Sequence, residues 1–259
     1  MTWIADLLRF DRDGDVFTIR EPGASPVGRL FGGLIAAQAL AAAGATVDVT
    51  KLPQSLHAYF VRGGRYAADV TFEVERTRDG RSFATRRVTA AQDGAVILEM
   101  LASFHEPEPG ADWQPEVASN LEFDTATPKA SLLDFADWIE LRSVPGDTTE
   151  FAIPPFWIRT RAAIEDDPLI RAATLTFLSD LGPVPAALPP EIGQRSPRGV
   201  SASLDHAIWF HRPFRPDNWH RYEVRAVNHN DSRGLAVGSL YDAAGGLIAS
   251  VTQEALWRL

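Results

Sequence analysis

The stretch FGGLIAAQALAAAGATV, from Phe31 to Val47, is apolar nearly all the way round a helix and is interrupted only by Gln38. A helix with no polar face has to be covered on most of its sides, because each apolar side chain left in water forfeits its transfer free energy. The sequence that follows has the character of such a cover. SLHAYFVR reads as a strand, and beyond it Val70, Phe72 and Val74 alternate with Thr71, Glu73 and Glu75, while RDG and QDG supply hairpin turns. The order is a helix first, then an antiparallel meander long enough to wrap it.

The same order then recurs. From Glu106 to Asp134 the chain carries Pro107, Pro109, Gly110, Pro115 and Pro128 with little periodicity, which reads as a surface linker. The expected organisation is therefore an N-terminal unit over 1–106, a linker over 107–134 and a C-terminal unit over 135–259. In the second unit DWIELRSV and PPFWIRTRAAI have strand character. DDPLIRAATLTFLSDLGPVP opens on an aspartate cap with Pro168 in the first turn and stops at Gly182 and Pro183, which marks a second apolar helix. SASLDHAIWFH, WHRYEVRAVN and SRGLAVGSLYDAAGGLIASVTQEALWRL repeat the meander. SLHAYFVRGG and SLDHAIWFHRPF place an aromatic pair, one residue and an arginine in matching positions about 150 residues apart, so the elements repeat although few letters do. The fold class expected is α+β, two antiparallel sheets each wrapping a long apolar helix, paired so that exposed sheet edges are covered.

Composition narrows the function. The net charge is −9 and the longest basic run is a pair such as Arg86–Arg87, so no footprint for nucleic acid is visible. There are no cysteines, which excludes disulfides, thiolate metal sites and a cysteine nucleophile and is consistent with a reducing cytosol. MTWIADLLRF has Asp6 in its apolar stretch and no basic lead, and no run approaches membrane-spanning length, so a membrane partner is not expected.

Several polar residues sit where apolar ones are the rule. Asp180 continues the spacing of Leu169, Ala173 and Thr176 on the second helix, so its carboxylate either enters a polar cleft or turns to solvent at the Gly182–Pro183 stop. Gln253 interrupts the face formed by Leu247, Ala249, Val251, Ala255 and Trp257, where an amide needs partners on both ends: a water and a neighbouring polar group, or the backbone of an adjacent strand. Its counterpart in the first half is Leu101 or Ala102, neither of which can hold a water. Ser203, at the start of the LDHAIWF strand, is by itself an ordinary strand-start residue. Gly32 and Gly33 open the first helix, either as backbone donors to a substrate oxygen or simply to let the helix pack closely. Gln38 and His57 are the polar residues of the first half in comparable places; His57 reads first as a partly buried, hydrogen-bonded histidine. A metal reading of Asp205, His206 and His211 fails on geometry, since the two histidines face opposite sides of a strand. Arg62, Arg78, Arg212 and Arg233 could meet phosphates, with nothing to select one.

FGGLIAAQAL, LHAYFVRGG, TRDGRSFATRRVTAAQDG, SLDHAIWFHRPF and ASVTQEA, in this order across both halves, resemble the acyl-CoA thioesterase II family of double-hotdog enzymes. The resemblance covers roughly two thirds of the chain and is poor from Pro107 to Thr160. It implies hydrolysis of fatty acyl-CoA without cofactor or metal, through a water held by an aspartate on the second helix, a threonine or serine at the following strand and a glutamine in the last strand; Asp180, Ser203 and Gln253 fall on these positions. Gly32, Gly33, Gln38 and His57 are the expected substrate-binding residues, although Leu34 stands where many members have glutamine. The resemblance also implies pairing into dimers or tetramers. A binding protein without turnover and a hotdog enoyl-CoA hydratase are the alternatives.

Overall fold

The computed structural model describes residues 3–20, 29–66, 68–116, 123–131, 135, 137–145, 147, 152–188 and 200–258. In chain order the first half contains α1 (Trp3–Leu7), β1 (Asp11–Asp13), β2 (Val16–Ile19), α2 (Gly32–Gly44), β3 (Leu52–Phe60), β4 (Val70–Asp79), β5 (Phe83–Gln92) and β6 (Ala95–His105). The second contains β7 (Thr127–Lys129), β8 (Ile139–Ser143), β9 (Phe156–Thr160), α3 (Pro168–Ser179), α4 (Pro183–Ala186), β10 (Val200–Ser203), β11 (Asp205–Phe210), β12 (His220–Asn230), β13 (Arg233–Asp242) and β14 (Leu247–Arg258).

α2 is buried along its whole length from Gly33 to Ala43, as its lack of a polar face requires. α3 begins where Asp167 accepts from the Leu169 and Ile170 amides at 2.8 and 3.1 Å, with Pro168 in the first turn. The QDG turn between β5 and β6 holds Asp93 at φ 48° and Gly94 at φ 75°, the left-handed conformation that a two-residue hairpin needs.

The two expected sheets, each wrapping a helix and paired at their edges, are joined into a continuous one. All strands join one antiparallel 14-stranded sheet, ordered β1-β2-β4-β5-β6-β3-β11-β14-β13-β12-β9-β8-β7, with β10 also paired to β14. The physical reason is that β3 and β11, the two echoing stretches, are each an edge of their own half and hydrogen-bond to each other, from Asp205↔Tyr59 to Trp209↔Ser55. The central pair of this register is His57↔Ala207, and these two residues are each other's counterparts in the repeat, so the pseudo-twofold axis passes between them. The repeat extends to detail: Arg62 donates to the Val96 carbonyl at 2.8 Å and Arg212 to the Leu247 carbonyl at 2.7 Å, in equivalent places. The linker expectation is also corrected at one point, because Thr127–Lys129 form strand β7 on β8 at the sheet edge. On the concave side α2 packs against α3, and one continuous core draws on both halves.

Candidate active site

The ends of the two central helices meet. α3 stops at Asp180, which is only 5 % exposed and points its carboxylate at the start of α2. The Gly33 amide donates to Asp180 Oδ2 at 2.7 Å. This approach requires the glycines: a Cβ on Gly32 would stand 2.8 Å from Asp180 Oδ2, and one on Gly33 would stand 2.7 Å from the Phe177 carbonyl oxygen and 2.9 Å from Asp180 Cβ. Of the two sequence readings of Gly32–Gly33, close packing is therefore realised, and the partner packed against is the carboxylate.

Two further elements close the site. β10 and β14 pair with Ser203 opposite Ala255, and β14 turns Val251, Gln253 and Ala255 inward. Gln253 Nε2 donates to Ser203 Oγ at 2.7 Å, and Ser203 Oγ lies 3.4 Å from Asp180 Oδ1 as donor. The structure thus brings Asp180, Ser203 and Gln253 together, with Gly33 as a fourth member. Hydrogen bonding to buried polar groups is the rule that makes this arrangement tolerable, since an isolated carboxylate at this depth would cost several kcal/mol.

Behind these side chains lie further buried polar groups, of which the sequence marked only His206, and that as a rejected metal ligand. His206, fully buried, bonds through Nδ1 to Gln253 Oε1. An amide oxygen only accepts, so Nδ1 carries the proton, and the Gln253 NH₂ is thereby aimed at Ser203. On the far side of the ring, Nε2 carries no proton and can only accept, so Ser179 Oγ, 2.9 Å away, donates to it rather than to the Thr176 carbonyl 3.0 Å away, while Tyr222 donates to the Ser179 carbonyl at 2.6 Å. The signal for His206 was present in the sequence: it shares a strand face with Ile208, which is buried.

Burial pushes the Asp180 carboxyl above its ordinary value, against the opposing pulls of His206, the Gln253 amide, the Gly33 N–H and the Ser203 hydroxyl. Burial likewise drives the His206 imidazole down, with Asp180 opposing, and raises the Tyr222 phenol. A carboxylate held in a dry setting but supplied with donors is poised to take a proton from a bound water.

Two expected substrate-binding residues lie elsewhere. Gln38 is fully buried but donates to the Leu7 carbonyl at 2.9 Å, tying α2 to the end of α1. His57 is exposed: Leu56 and Ala58 take the inward positions of β3, so the period of two turns His57 outward, where its ring meets Trp209 edge-on at 5.0 Å. His206 and His211 face opposite sides, the latter bonded to Ser250 at 2.9 Å.

The equivalent location at the other end of the helix pair has lost every polar member. The registers of β3 with β6 and of β10 and β11 with β14 match Pro53 to Ser203, Leu56 to His206 and Ala102 to Gln253. Gly44 stands for Asp180, and the Leu169 side chain fills the space beside it where the carboxylate meets Gly33. Arg86, paired with Ala102 as Ala236 is with Gln253, occupies the interior instead and donates to Thr46 Oγ1 and the Thr46 carbonyl at 2.8 and 3.0 Å. A guanidinium there complements the C-terminal end of α2 but leaves no acceptor for a water proton. Of the two positions left open opposite Gln253, the register selects Ala102.

The fold is that of the hotdog thioesterases among solved structures. The family model described as "Acyl-CoA thioesterase N-terminal domain" matches residues 20–105 and "Acyl-CoA thioesterase C-terminal domain" matches residues 98–257. The chain is similar to human "Acyl-coenzyme A thioesterase 8", with 33% identity over 90% of this chain and 82% of that protein. "Acyl-CoA thioesterase 2" of Haemophilus influenzae is 30% identical over 97% of this chain and 96% of its own length. Among solved structures, the acyl-CoA thioesterase II TesB2 of Mycobacterium marinum superposes with a TM-score of 0.80 and 33% identity, covering 98% of this chain and 96% of that one. The chain belongs to the acyl-CoA thioesterase II family.

Proposed function

We propose that the chain hydrolyses acyl-CoA thioesters to a free acid and coenzyme A by direct attack of water. The observation that carries this reading is a single buried carboxylate receiving donors from three separate elements, with the amide of α2, the Ser203 hydroxyl and the Gln253 network around it. Asp180 takes the proton of a water held between its carboxylate, Ser203 and Gln253, and the resulting hydroxide adds to the thioester carbonyl carbon. The oxyanion that develops is favoured by the positive end of the α2 dipole, whose Gly33 amide already donates to Asp180. Collapse breaks the carbon–sulfur bond, and the proton held by Asp180 goes to the leaving thiolate. The nucleophile being water, no acyl-enzyme forms. General-base assistance of this kind contributes about 10²- to 10⁴-fold.

His206 acts as a positioning residue. Both of its ring nitrogens are engaged, by Gln253 and Ser179, so its part is to fix the direction of the glutamine amide. The same engagement argues against an enoyl-CoA hydratase, whose histidine must hand a proton to substrate. The lack of cysteine supports a cytosolic setting, and the exposed Tyr59 and Leu101 on the outer face of the central strands support pairing into dimers or tetramers, which solution mass would measure.

The test is thiol release from a chain-length series of acyl-CoAs. Steady hydrolysis abolished by Asp180→Asn is the expected result. Saturable binding without thiol release would leave a binding protein, and consumption of an enoyl-CoA with water addition would leave a hydratase.

A further inference from the structure

A cavity of about 460 Å³ opens near the pseudo-symmetric counterpart of the Asp180 site, where α3 begins beside the outer ends of β3 and β11. Three of its walls repeat positions at or beside that site. Pro53 stands for Ser203, Pro168 opens α3 as Gly32 opens α2, and Phe210 stands for Phe60, whose ring edge lies against the Gly32 position. Leu52 and Phe214 complete an apolar interior. The carboxylate, hydroxyl and amide are replaced, and Leu169 fills the place beside Gly44, yet a cavity remains alongside, between the start of α3 and the ends of β3 and β11. A volume of this size falls within the range of sites that enclose a small ligand.

The cavity also holds one unanswered donor. Arg171, on the first turn of α3, has a side chain only 12 % exposed, and its Nη1 pairs with the exposed Asp166 at 2.7 Å. Its Nε is buried without a hydrogen-bond partner among the described residues. An unsatisfied buried N–H costs about 1–3 kcal/mol, and guanidinium presents its N–H groups in a fork that matches a carboxylate. The other cation in the wall, Arg212, is already held by the Leu247 carbonyl and Asp112, and the rim carries Glu108, so the surroundings favour a monoanion over a polyphosphate.

We propose that this second cleft binds an aliphatic carboxylate without turning it over, with the carboxylate on Arg171 and the chain along Leu52, Phe210 and Phe214. The ligand is of the chemical class released by thioester hydrolysis, but the inference rests on the cavity and on the Arg171 Nε that has no partner among the described residues, and stands whether or not the first cleft is hydrolytic.

The experiment is calorimetric titration of the full-length chain with dodecanoate, and with dodecanol as the uncharged control. Arg171→Leu removes the cation. Gln54→Trp narrows the cavity from β3, where Gln54 is half-buried and bonds only to its neighbour Ser55. The expected result is that each variant removes one dodecanoate equivalent from the wild-type stoichiometry or weakens it at least about 10-fold, the scale of a lost charge-assisted pair. Dodecanol binding should not respond to Arg171→Leu. Unchanged dodecanoate stoichiometry and affinity in both variants would overturn the proposal, as would equal losses for dodecanol and dodecanoate in Arg171→Leu. Dodecanoyl-CoA hydrolysis, measured on the same preparations, is expected to keep its kcat, so failure of the hydrolase reading registers separately.

Discussion

Gly33 and Gly44 lie at the two ends of α2, one beside a carboxylate and the other beside a leucine, which makes them a contrasting pair. In Gly33→Ala the new methyl would stand 2.7 Å from the Phe177 carbonyl oxygen and 2.9 Å from Asp180 Cβ, both too close for any real contact and both rigidly held. In Gly44→Ala it would meet the Leu169 side chain, with Cδ2 at 2.6 Å and Cγ at 3.1 Å. Overpacking of this kind costs about 1–3 kcal/mol, and the better helix propensity of alanine returns somewhat less than 1 kcal/mol. Both variants should therefore be destabilised by about 1–2 kcal/mol, a fall in Tm of about 2–8 °C for a chain of this size. Their catalytic effects should differ. Gly33→Ala must push Asp180 away from its donor, and a displacement near 1 Å is enough to lower kcat by about 10²-fold. Gly44→Ala should keep kcat within about threefold, since it lies at the inert counterpart site. Calorimetric Tm and thiol-release kinetics on the same preparations decide the matter. Equal loss of kcat in the two variants, or retained kcat in Gly33→Ala, would refute the claim that the Gly33–Asp180 approach sets the catalytic geometry.

Asp180→Asn should lower kcat by about 10²- to 10⁴-fold. It should also raise stability at neutral pH: the folded carboxyl titrates above its ordinary value, so its ionised form is a liability there, and denaturant titrations should show the gain shrinking as pH falls through the raised folded-state value and gone below the ordinary carboxylate value. In pH–rate profiles, kcat/KM should rise with pH as Asp180 deprotonates, with a midpoint above the usual carboxylate range because burial outweighs its donors. His206→Leu and Gln253→Ala each strand a buried partner and should each cost about 1–3 kcal/mol in urea unfolding. The double variant, which copies the Leu56/Ala102 pair of the other half, should cost less than the sum by about 0.5–3 kcal/mol because the two side chains touch.

Much of the architecture was legible because it follows from periodicity. The unbroken apolar surface of α2 demanded a cover, the alternation around Val70 to Val74 supplied it, and Asp167–Pro168 marked the start of α3. Gln253 was readable for the same reason, as a polar residue on an apolar face. Other features were not. β7 was hidden in a proline-rich stretch whose strand character comes from its neighbour β8, and His57 turned outward although its residue type suggested otherwise. His206 carried only a weak local signal, because its importance lies in Gln253 and Ser179, which are far from it in sequence and from each other.

The sequence by itself determined that two helix-and-meander units repeat and that the glutamine of the last strand has an apolar counterpart, Leu101 or Ala102, in the first half. The periods of 3.6 and 2 that carry this information are local, so a linear chain displays them. Tertiary structure decided which ends meet. The pairing of β3 with β11 merges two sheets into one, and the packing of α2 against α3 brings the Gly33 amide to Asp180 while sending Leu169 to Gly44. Those distances depend on long-range contacts between residues that no local pattern connects, and the difference between a buried carboxylate with donors around it and a leucine lies in them.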